Sequence, residues 1–267
     1  MMADRWTRMV RQQVGLGRFL PLGGPYDGAW IAERAASGVL RGAAERDVPE
    51  VRLDGVRIGL ADPGEAAEPA VPAPPSALPP GPLRLTAEFA ATAAWPLPET
   101  ASRLRTALAV TATERIGLDL TEVDLRVTEL LDTEPPASRP GTPETRGGTD
   151  TSGGAGMPGA AESEAARAPG SAGVAGAVGG GPEGERVAAV VLRVPGVSRL
   201  TGVWGLPVRL SEQAPAPGDA LPRRHARVDL AVAAGFRPLE VARAVRAAVA
   251  EALPDRPTVA VLVTDLD

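Results

Sequence analysis

The side chains that most enzymes use for covalent, acid–base or metal chemistry are scarce in this sequence of 267 residues. It contains no Lys, Cys or Asn, and its single histidine is His225. Without Lys there is no phosphate-binding lysine and no Schiff base, and without Cys there is no thiolate nucleophile or thiolate metal ligand. The positive charges of Arg223, Arg224 and Arg227 lie beside His225 and oppose its protonation. We therefore predict a structural or surface role for His225, and a protein that is not an enzyme and has no catalytic residue, cofactor or metal site.

The N-terminal segment has a pattern typical of a short basic amphipathic helix, with Asp4 as its N-cap and Gly15 as its end. One side of this helix is apolar, and arginines lie around the other side. The residues predicted to contact a partner or a membrane are Arg5, Trp6, Arg8, Met9, Val10, Arg11 and Val14. Such a helix binds an anionic membrane or the groove of a partner protein, and packing against its own domain is the alternative.

Two long stretches of the sequence repeat one pattern at a constant spacing of 141 residues. LRLTAEFAATAAWPLPETASRLRTALAV and ARVDLAVAAGFRPLEVARAVRAAVAEAL each run from an alternating strand pattern, through an aromatic residue, into a helix. Trp95 matches Phe236, and Arg105 matches Arg246. We interpret the two aromatic residues as core anchors, with stacking platforms as the alternative. The helical arginines are interpreted as a solvated face, with a partner-binding stripe as the alternative.

The flanking blocks repeat as well. Residues 28–60 predict a helix with Asp27 as its N-cap, followed by two short strands, and residues 185–210 predict the same order around a shared Val-Pro-x-Val sequence. A closing strand follows each later helix, at 123–130 and at 259–266. These patterns predict an α/β fold of the α+β type with two tandem small domains. Each domain has the order helix-strand-strand-strand-helix-strand, and a disordered Gly/Pro/Ala-rich linker joins the two.

The predicted boundaries follow from composition, because Pro-rich and Gly-rich stretches carry too little apolar surface to form a core. They are an N-terminal amphipathic segment at 1–27, a first domain at 28–132 with a Pro-rich insertion at 61–82, the linker at 133–184, and a second domain at 185–267.

The second domain carries four stretches in a recognisable order: VPGVSRLTG, ARVDLAVAAGF, PLEVARAVRAAVAEAL and TVAVLVTDLD. In this order they resemble the alkaline shock protein family of envelope stress response proteins. The resemblance covers residues 185–267 and, more weakly, residues 28–132. It implies small α/β domains that associate with themselves and with membrane-anchored partners, without catalysis. The two copies and the long Pro/Gly insertions depart from the family pattern.

Composition and charge give the remaining expectations. The net charge of −5 gives no general electrostatic attraction to a polyanion, and the sequence has no apolar run of about 18 residues. We therefore expect a cytoplasmic protein, with the inner face of the membrane as a peripheral location. The predicted function is that of a non-enzymatic envelope stress response or scaffold protein, acting through protein–protein association near the cytoplasmic membrane. The alternative is a nucleic-acid-binding α/β module, which the cluster RRHAR at 223–227 favours and the acidic net charge disfavours.

Overall fold

The computed structural model of the protein describes residues 15–132, 178–179, 181–203, 205–213 and 223–267. These residues form four α-helices and ten strands arranged in two sheets, and they belong to one compact unit. The mixed α/β class predicted from the sequence is confirmed.

The elements of the N-terminal half, residues 15–132, and of the C-terminal half, the described residues from 178 onward, are numbered in chain order. The N-terminal half contains β1 Phe19–Pro21, β2 Ala29–Ala32, α1 Glu33–Asp47, β3 Val51–Leu60, β4 Leu83–Thr92, α2 Leu97–Val110, a π-helical turn Thr111–Ile116 and β5 Leu120–Leu131. The C-terminal half contains β6 Val178–Gly179, α3 Pro182–Val191, β7 Val197–Leu200, β8 Val208–Gln213, β9 Arg223–Val232, α4 Pro238–Ala252 and β10 Thr258–Leu266.

The larger sheet, sheet A, has seven strands. Six of them follow the order β1-β2-β10-β9-β8-β6, and β7 also pairs with β9. Strand β10 runs parallel to β2 and to β9, while the other pairs of sheet A are antiparallel. Sheet B has the order β3-β4-β5, with β4 parallel to β5 and β3 antiparallel to β4. Each sheet therefore contains one parallel crossover, β4-α2-β5 in sheet B and β9-α4-β10 in sheet A.

The stretch Ala29–Ala32 is a strand, and the prediction of a helix from residue 28 is wrong for these residues. All four are buried, because β2 lies between β1 and β10. A strand buried on both faces reads as a continuous apolar run, which periodicity alone does not distinguish from a helix. Helix α1 begins at Glu33, and the predicted cap Asp27 instead accepts hydrogen bonds from Gly24 N–H and Arg243, each at 2.8 Å.

Two further boundaries differ from the predictions. Strand β3 is one continuous strand instead of two short ones, with a bulge between Leu53 and Gly55 where the turn was predicted. The predicted linker extends to residue 184, but β6 and the start of α3 lie inside that range. Pro182 favours the earlier helix start, because the N–H that proline lacks would have no partner in the first turn. Residues 133–177 and 180 of the predicted linker lie outside the described residues.

Strand β2 joins the two halves inside sheet A. The N-terminal half supplies β1 and β2 to a sheet whose other strands come from the C-terminal half. Val261 N–H donates to Gly28 O at 3.0 Å, and β2 pairs with β10 over Val261–Val263. The described residues do not separate at residue 132, so the prediction of two tandem domains is not confirmed.

The Pro-rich insertion 61–82 packs along the N-terminal half. Its helical content in this range is one 3₁₀ turn, Pro63–Glu65. Leu78 N–H donates to Phe19 O at 2.8 Å, and the Trp30 indole N–H donates to Leu78 O at 3.4 Å. The insertion thus covers the outer side of β1 and seals the largest buried side chain of the core.

The two halves share contacts at positions that the sequence repeat makes equivalent. In each half a residue at the end of the long strand, or directly after it, donates its N–H to the Val-Pro-x-Val turn, and a helical arginine donates to a carbonyl of the closing strand. The pairs are Thr92 N–H to Glu50 O (3.0 Å) and Ala233 N–H to Gly196 O (2.9 Å), then Arg105 Nε to Val123 O (3.3 Å) and Arg246 Nε to Val259 O (3.0 Å). The same local geometry therefore occurs twice.

Candidate functional site

The residues predicted to contact a partner or a membrane are Arg5, Trp6, Arg8, Met9, Val10, Arg11 and Val14, and all of them lie outside the described residues. The described chain begins with Gly15 and Leu16, whose backbone is helical. Leu16 lines a pocket beside helix α1.

Two adjoining pockets with volumes of about 470 Å³ and 430 Å³ lie beside α1. Val39 of α1 and Leu266 of β10 line both of them, so the two pockets form one groove, called here the α1 groove. Its far end is lined by residues 233–237, which connect β9 to α4, by Pro238 at the start of α4, and by residues 114–116 of the π-helical turn.

The α1 groove lies at the carboxyl ends of the parallel strands β9 and β10, the position where α/β sheets commonly bind ligands. Its lining combines apolar side chains with charges of both signs. The apolar residues include Val39, Ile116, Phe236 and Leu266, and the charged residues include Arg34, Glu114, Arg115, Arg237, Asp265 and Asp267. A lining that combines apolar side chains, an aromatic ring and arginines is typical of a protein-binding surface.

Phe236 is the aromatic residue of the groove, and it is 49% exposed. The turn at Gly196 positions its ring, because Gly196 has a φ of +90° and a Cβ there would lie 2.7 Å from Phe236 Cδ1. The matching residue of the N-terminal half, Trp95, is 51% exposed. The prediction that both residues are core anchors is therefore wrong. Both rings follow the end of a strand, where the chain has already left the sheet, and at the second corner Leu239 fills the core position.

The π-helical turn Thr111–Ile116 shapes the far wall of the groove. Such turns are rare and occur frequently at functional sites. The turn ends at Gly117, whose φ is +99° and where a Cβ would lie 2.5 Å from Leu239 Cβ. Arg237 donates to Thr113 O at 2.9 Å. The wall is thus built where the N-terminal half packs against the first turn of α4.

No protein-family model matches the sequence, and no curated protein is significantly similar to it.

Two other features of the described residues bear on function. None of their helices combines the length and the apolar character needed to cross a membrane. No group of three or more His, Asp or Glu side chains among them is placed to hold a metal ion.

His225 lies inside sheet A, with 8% of its surface exposed, so its position is structural. Its Nδ1 lies 2.9 Å from Thr258 Oγ1. Burial and the positive charge of Arg227 lower the pKa of His225 to about 4, so the ring is neutral at pH 7. Neither His225 nor Thr258 is among the residues that line the α1 groove.

A buried ion pair joins two residues of β9, Arg227 and Asp229. The Arg227 Nε donates to Asp229 Oδ1 at 3.2 Å, and the Asp229 side chain is 0% exposed. Burial raises the pKa of Asp229 to about 6, while the Arg227 charge and a hydrogen bond from the Val203 backbone act in the opposite direction. This pair was not predicted, although the alternation of charged and apolar residues in RRHARVDL marks the positions.

The basic cluster at 223–227 is largely neutralised by carboxylates. Arg224 donates to Glu183 at 2.6 Å and to Asp255 at 3.1 Å, and Arg227 pairs with Asp229. Arginines held by carboxylates present less positive charge to a phosphate backbone. This arrangement disfavours the nucleic-acid alternative.

Two arginines of α4 fasten the C-terminal half to the segment before β2. Arg243 donates to both carboxylate oxygens of Asp27, at 2.8 Å and 3.1 Å, and Arg246 donates to Tyr26 O at 2.8 Å. Although burial alone raises it, the pKa of Asp27 lies below its ordinary value because Arg243 and Gly24 N–H hydrogen-bond to the carboxylate. Arg243 remains exposed, in agreement with its interpretation as part of a solvated face, whereas Arg246 is only partly exposed.

Proposed function

We propose that this protein is a non-enzymatic scaffold of the envelope stress response, acting by protein–protein association in the cytoplasm, near the inner face of the membrane. The observation that carries the proposal is the α1 groove, whose lining includes apolar side chains, a half-exposed phenylalanine and arginines. Aromatic residues and Arg are enriched where proteins bind one another. The partner in this proposal is a protein, including one anchored in the membrane.

The repeated geometry of the two halves supports the same proposal. The backbone hydrogen bond accepted by Glu50 in one half matches the one accepted by Gly196 in the other, and the bond donated by Arg105 matches the one donated by Arg246. These matches support two copies of one α/β unit, at 28–132 and 185–267. The VPGVSRLTG stretch that carries the resemblance to alkaline shock proteins contains Gly196, which seats Phe236 in the groove. The residues of the resemblance and those of the groove therefore overlap.

The first test places a photo-crosslinking amino acid, p-benzoylphenylalanine, at Phe236 in cells that express the full chain. The matched control places it at Trp95, which has nearly the same exposure, 51% against 49%, but does not line the groove. We expect a discrete cross-linked protein adduct from position 236 and none from position 95. Equal cross-linking from both positions, or none from either, would contradict a role for the groove in association.

The second test asks whether the N-terminal segment brings the protein to a membrane. Flotation with vesicles of phosphatidylglycerol and phosphatidylcholine is compared with flotation on phosphatidylcholine alone, for the full chain and for a variant without residues 1–14. The deletion stops there because Phe19–Pro21 is a buried strand of sheet A. We expect the full chain to float with anionic vesicles and the deletion variant to remain at the bottom. Identical behaviour of the two proteins would remove the membrane from the proposal.

A further inference from the structure

The outer edges of two described strands are covered by other parts of the chain. At the edge of sheet A, β1 is covered by the Pro-rich insertion, which donates Leu78 N–H to Phe19 O at 2.8 Å. At the edge of sheet B, β3 is covered by side chains. Ile58 N–H donates to Glu33 Oε1 at 3.2 Å, and Ile58 O accepts from Arg18 at 2.7 Å. Such coverage removes unpaired backbone groups that would otherwise pair with another strand.

Strand β5 lacks such coverage. It is 12 residues long, and no strand of the described ranges pairs with its outer edge. Arg105 reaches one of its carbonyls, Val123 O, and two apolar side chains near that edge are exposed, Val127 at 39% and Leu130 at 59%. A long, exposed strand edge of this kind is a template for pairing with another chain.

The C-terminal half shows that the equivalent edge accepts a strand. Val123 and Val259 are equivalent, since each accepts the hydrogen bond of the matching arginine. The same spacing makes Leu125 equivalent to Val261, whose N–H donates to Gly28 O at 3.0 Å. There β2 pairs with residues 261–263, which correspond to residues 125–127 of β5. An edge that is filled in one half is thus open in the other.

The sequence of β5 is complementary to itself in one antiparallel register. Bulges interrupt its pairing with β4 on either side of Glu122–Val127, so that stretch is regular. If Leu125 lies opposite Leu125 of a second copy, Asp124 lies opposite Arg126 and Val123 lies opposite Val127. No like charges face each other in this register. The Asp124 side chain is 64% exposed and lies 3.6 Å from Arg84 of its own chain, and the Arg126 side chain is 78% exposed and lies 3.9 Å from Glu88. Both charges therefore remain accessible to a second copy.

We propose that β5 pairs antiparallel with β5 of a second copy of this chain, centred on Leu125. The pairing is two-fold symmetric and therefore closes as a dimer, with the two three-stranded sheets B joined into one continuous sheet. Two equivalent Asp124–Arg126 pairs lie on the solvent face, while Val127 of each copy loses its exposure against Val123 of the other. The proposal rests on the proposed function, since it assigns an association surface to a protein proposed to act by association.

The first experiment measures the dimer dissociation constant of the full chain by sedimentation equilibrium. Asp124→Arg and Arg126→Asp each place like charges opposite one another twice, and we expect each to raise the dissociation constant by at least about tenfold. The double variant Asp124→Arg with Arg126→Asp restores opposite charges and returns the dimer. Arg57→Asp, at an exposed position of β3 in the same sheet, makes the same charge change as Arg126→Asp away from the β5 edge and leaves the dissociation constant unchanged. Circular dichroism and urea unfolding check that every variant is folded.

The second experiment tests the register. Because the chain has no cysteine, a single Leu125→Cys substitution introduces the only thiol. Residues on the two-fold axis have Cα atoms roughly 4.5 to 5.5 Å apart, within the range of a disulfide. Mild oxidation converts Leu125→Cys to a covalent dimer. The matched control Val123→Cys points to the same face of the sheet but lies opposite Val127, and it stays monomeric on a denaturing gel.

The outcomes separate this proposal from the proposed function. A monomeric wild-type chain at high micromolar concentration, a double variant that does not recover the dimer, or equal cross-linking from positions 123 and 125 would each overturn the β5 pairing. These results leave the cross-links from Phe236 and the vesicle flotation unaffected. Conversely, failure of those two tests leaves the dissociation constants of the charge variants unaffected.

Discussion

Strands β4 and β9 occupy equivalent places in the two halves, yet their polar side chains meet different surroundings. Glu88 of β4 is 50% exposed and lies 3.9 Å from Arg126 across the open face of sheet B. The equivalent residue of β9, Asp229, is 0% exposed and pairs with Arg227, itself 13% exposed. Arg84 and His225 show the same contrast, because Arg84 is half-exposed while His225 is buried.

This contrast shows that one local pattern serves two packing roles. In sheet B the polar positions of the central strand form a solvated face, as the alternating pattern indicates. In sheet A other parts of the chain cover the same positions, including the backbone of Val203 and Thr201, and the polar residues become an internal network. The cost of burying charge makes the C-terminal copy sensitive to substitutions that the N-terminal copy tolerates.

The largest expected difference between the copies is at Glu88 and Asp229. Asp229→Ala removes the buried carboxylate that pairs with the guanidinium of Arg227, and we expect it to lower the free energy of unfolding by about 3 kcal/mol. Glu88→Ala removes an exposed, long ion pair and changes the free energy of unfolding by less than about 0.5 kcal/mol. Urea unfolding at pH 7 measures both. Equal losses would show that burial does not distinguish the two strands.

The second difference lies at the ends of the crossover helices. Helix α2 ends in a π-helical turn and Gly117, whereas α4 ends at Leu253 in an extended conformation. Gly117→Ala adds backbone strain and a clash with Leu239, and we expect it to lower the free energy of unfolding by about 3 kcal/mol. Gly205→Ala is the control, since its φ of +98° gives similar strain but no atom of the described residues lies within 4 Å of a Cβ placed there. We expect Gly205→Ala to lower the free energy of unfolding by about 1 kcal/mol, and thermal unfolding of both variants measures the difference. Equal losses in the two variants would show that crowding against Leu239 does not add to the cost at Gly117.

The matched arginines give a smaller difference. Arg246 bonds two carbonyls, Val259 O at 3.0 Å and Tyr26 O at 2.8 Å, while Arg105 bonds Val123 O at 3.3 Å. We expect Arg246→Met to lower the free energy of unfolding by about 1.5 kcal/mol and Arg105→Met by about 0.5 kcal/mol. Guanidinium chloride titration of the two variants checks this order. A larger loss for Arg105→Met than for Arg246→Met would mean that the hydrogen bond from Arg246 to Tyr26 O does not stabilise the folded protein.

The smallest effect at pH 7 is expected for His225→Gln, but it depends on pH. The pKa of His225 is lowered to about 4, so the unfolded chain takes up this proton at higher pH than the folded chain. Between pH 6.5 and 5 the free energy of unfolding of the wild-type chain therefore falls by about 1.5 kcal/mol, a loss that the variant does not share. Asp229 acts in the opposite direction in both proteins, because its raised pKa favours the folded state as the pH falls.

The control for this pH dependence is Arg84→Gln, at the equivalent position of β4. Arg84 stays charged from pH 5 to 6.5, so the difference between that variant and the wild type is constant over this range. Chemical unfolding at several pH values measures both series. A constant difference for His225→Gln would show that the ring is not protected from protonation in the folded protein.

The sequence predicted the repeated elements well and their surroundings poorly. The order strand, aromatic corner, helix and parallel strand follows from local periodicity, which is why α2 and α4 lie close to their predicted positions. Burial of Asp229 and exposure of Phe236 depend on which distant segment covers each strand, and a repeat pattern carries no such information. The strand at Ala29–Ala32 was not predicted for the same reason, because it is a strand through its pairing with β10, which lies more than 200 residues later in the chain. The π-helical turn has no known periodic signal in a sequence.

The joining of β2 to β10 also affects how the chain folds. Tyr26 and Arg246 hydrogen-bond across a separation of 220 residues, and β2 and β10 pair across a similar distance. At typical rates of translation, roughly 10 to 40 seconds pass between the synthesis of two such segments. During that interval β2, with its buried Trp30, has no partner strand on the side of β10. Newly made chains therefore present an apolar strand edge that the finished protein hides, which makes chaperone binding and contacts between nascent chains most favourable in that period.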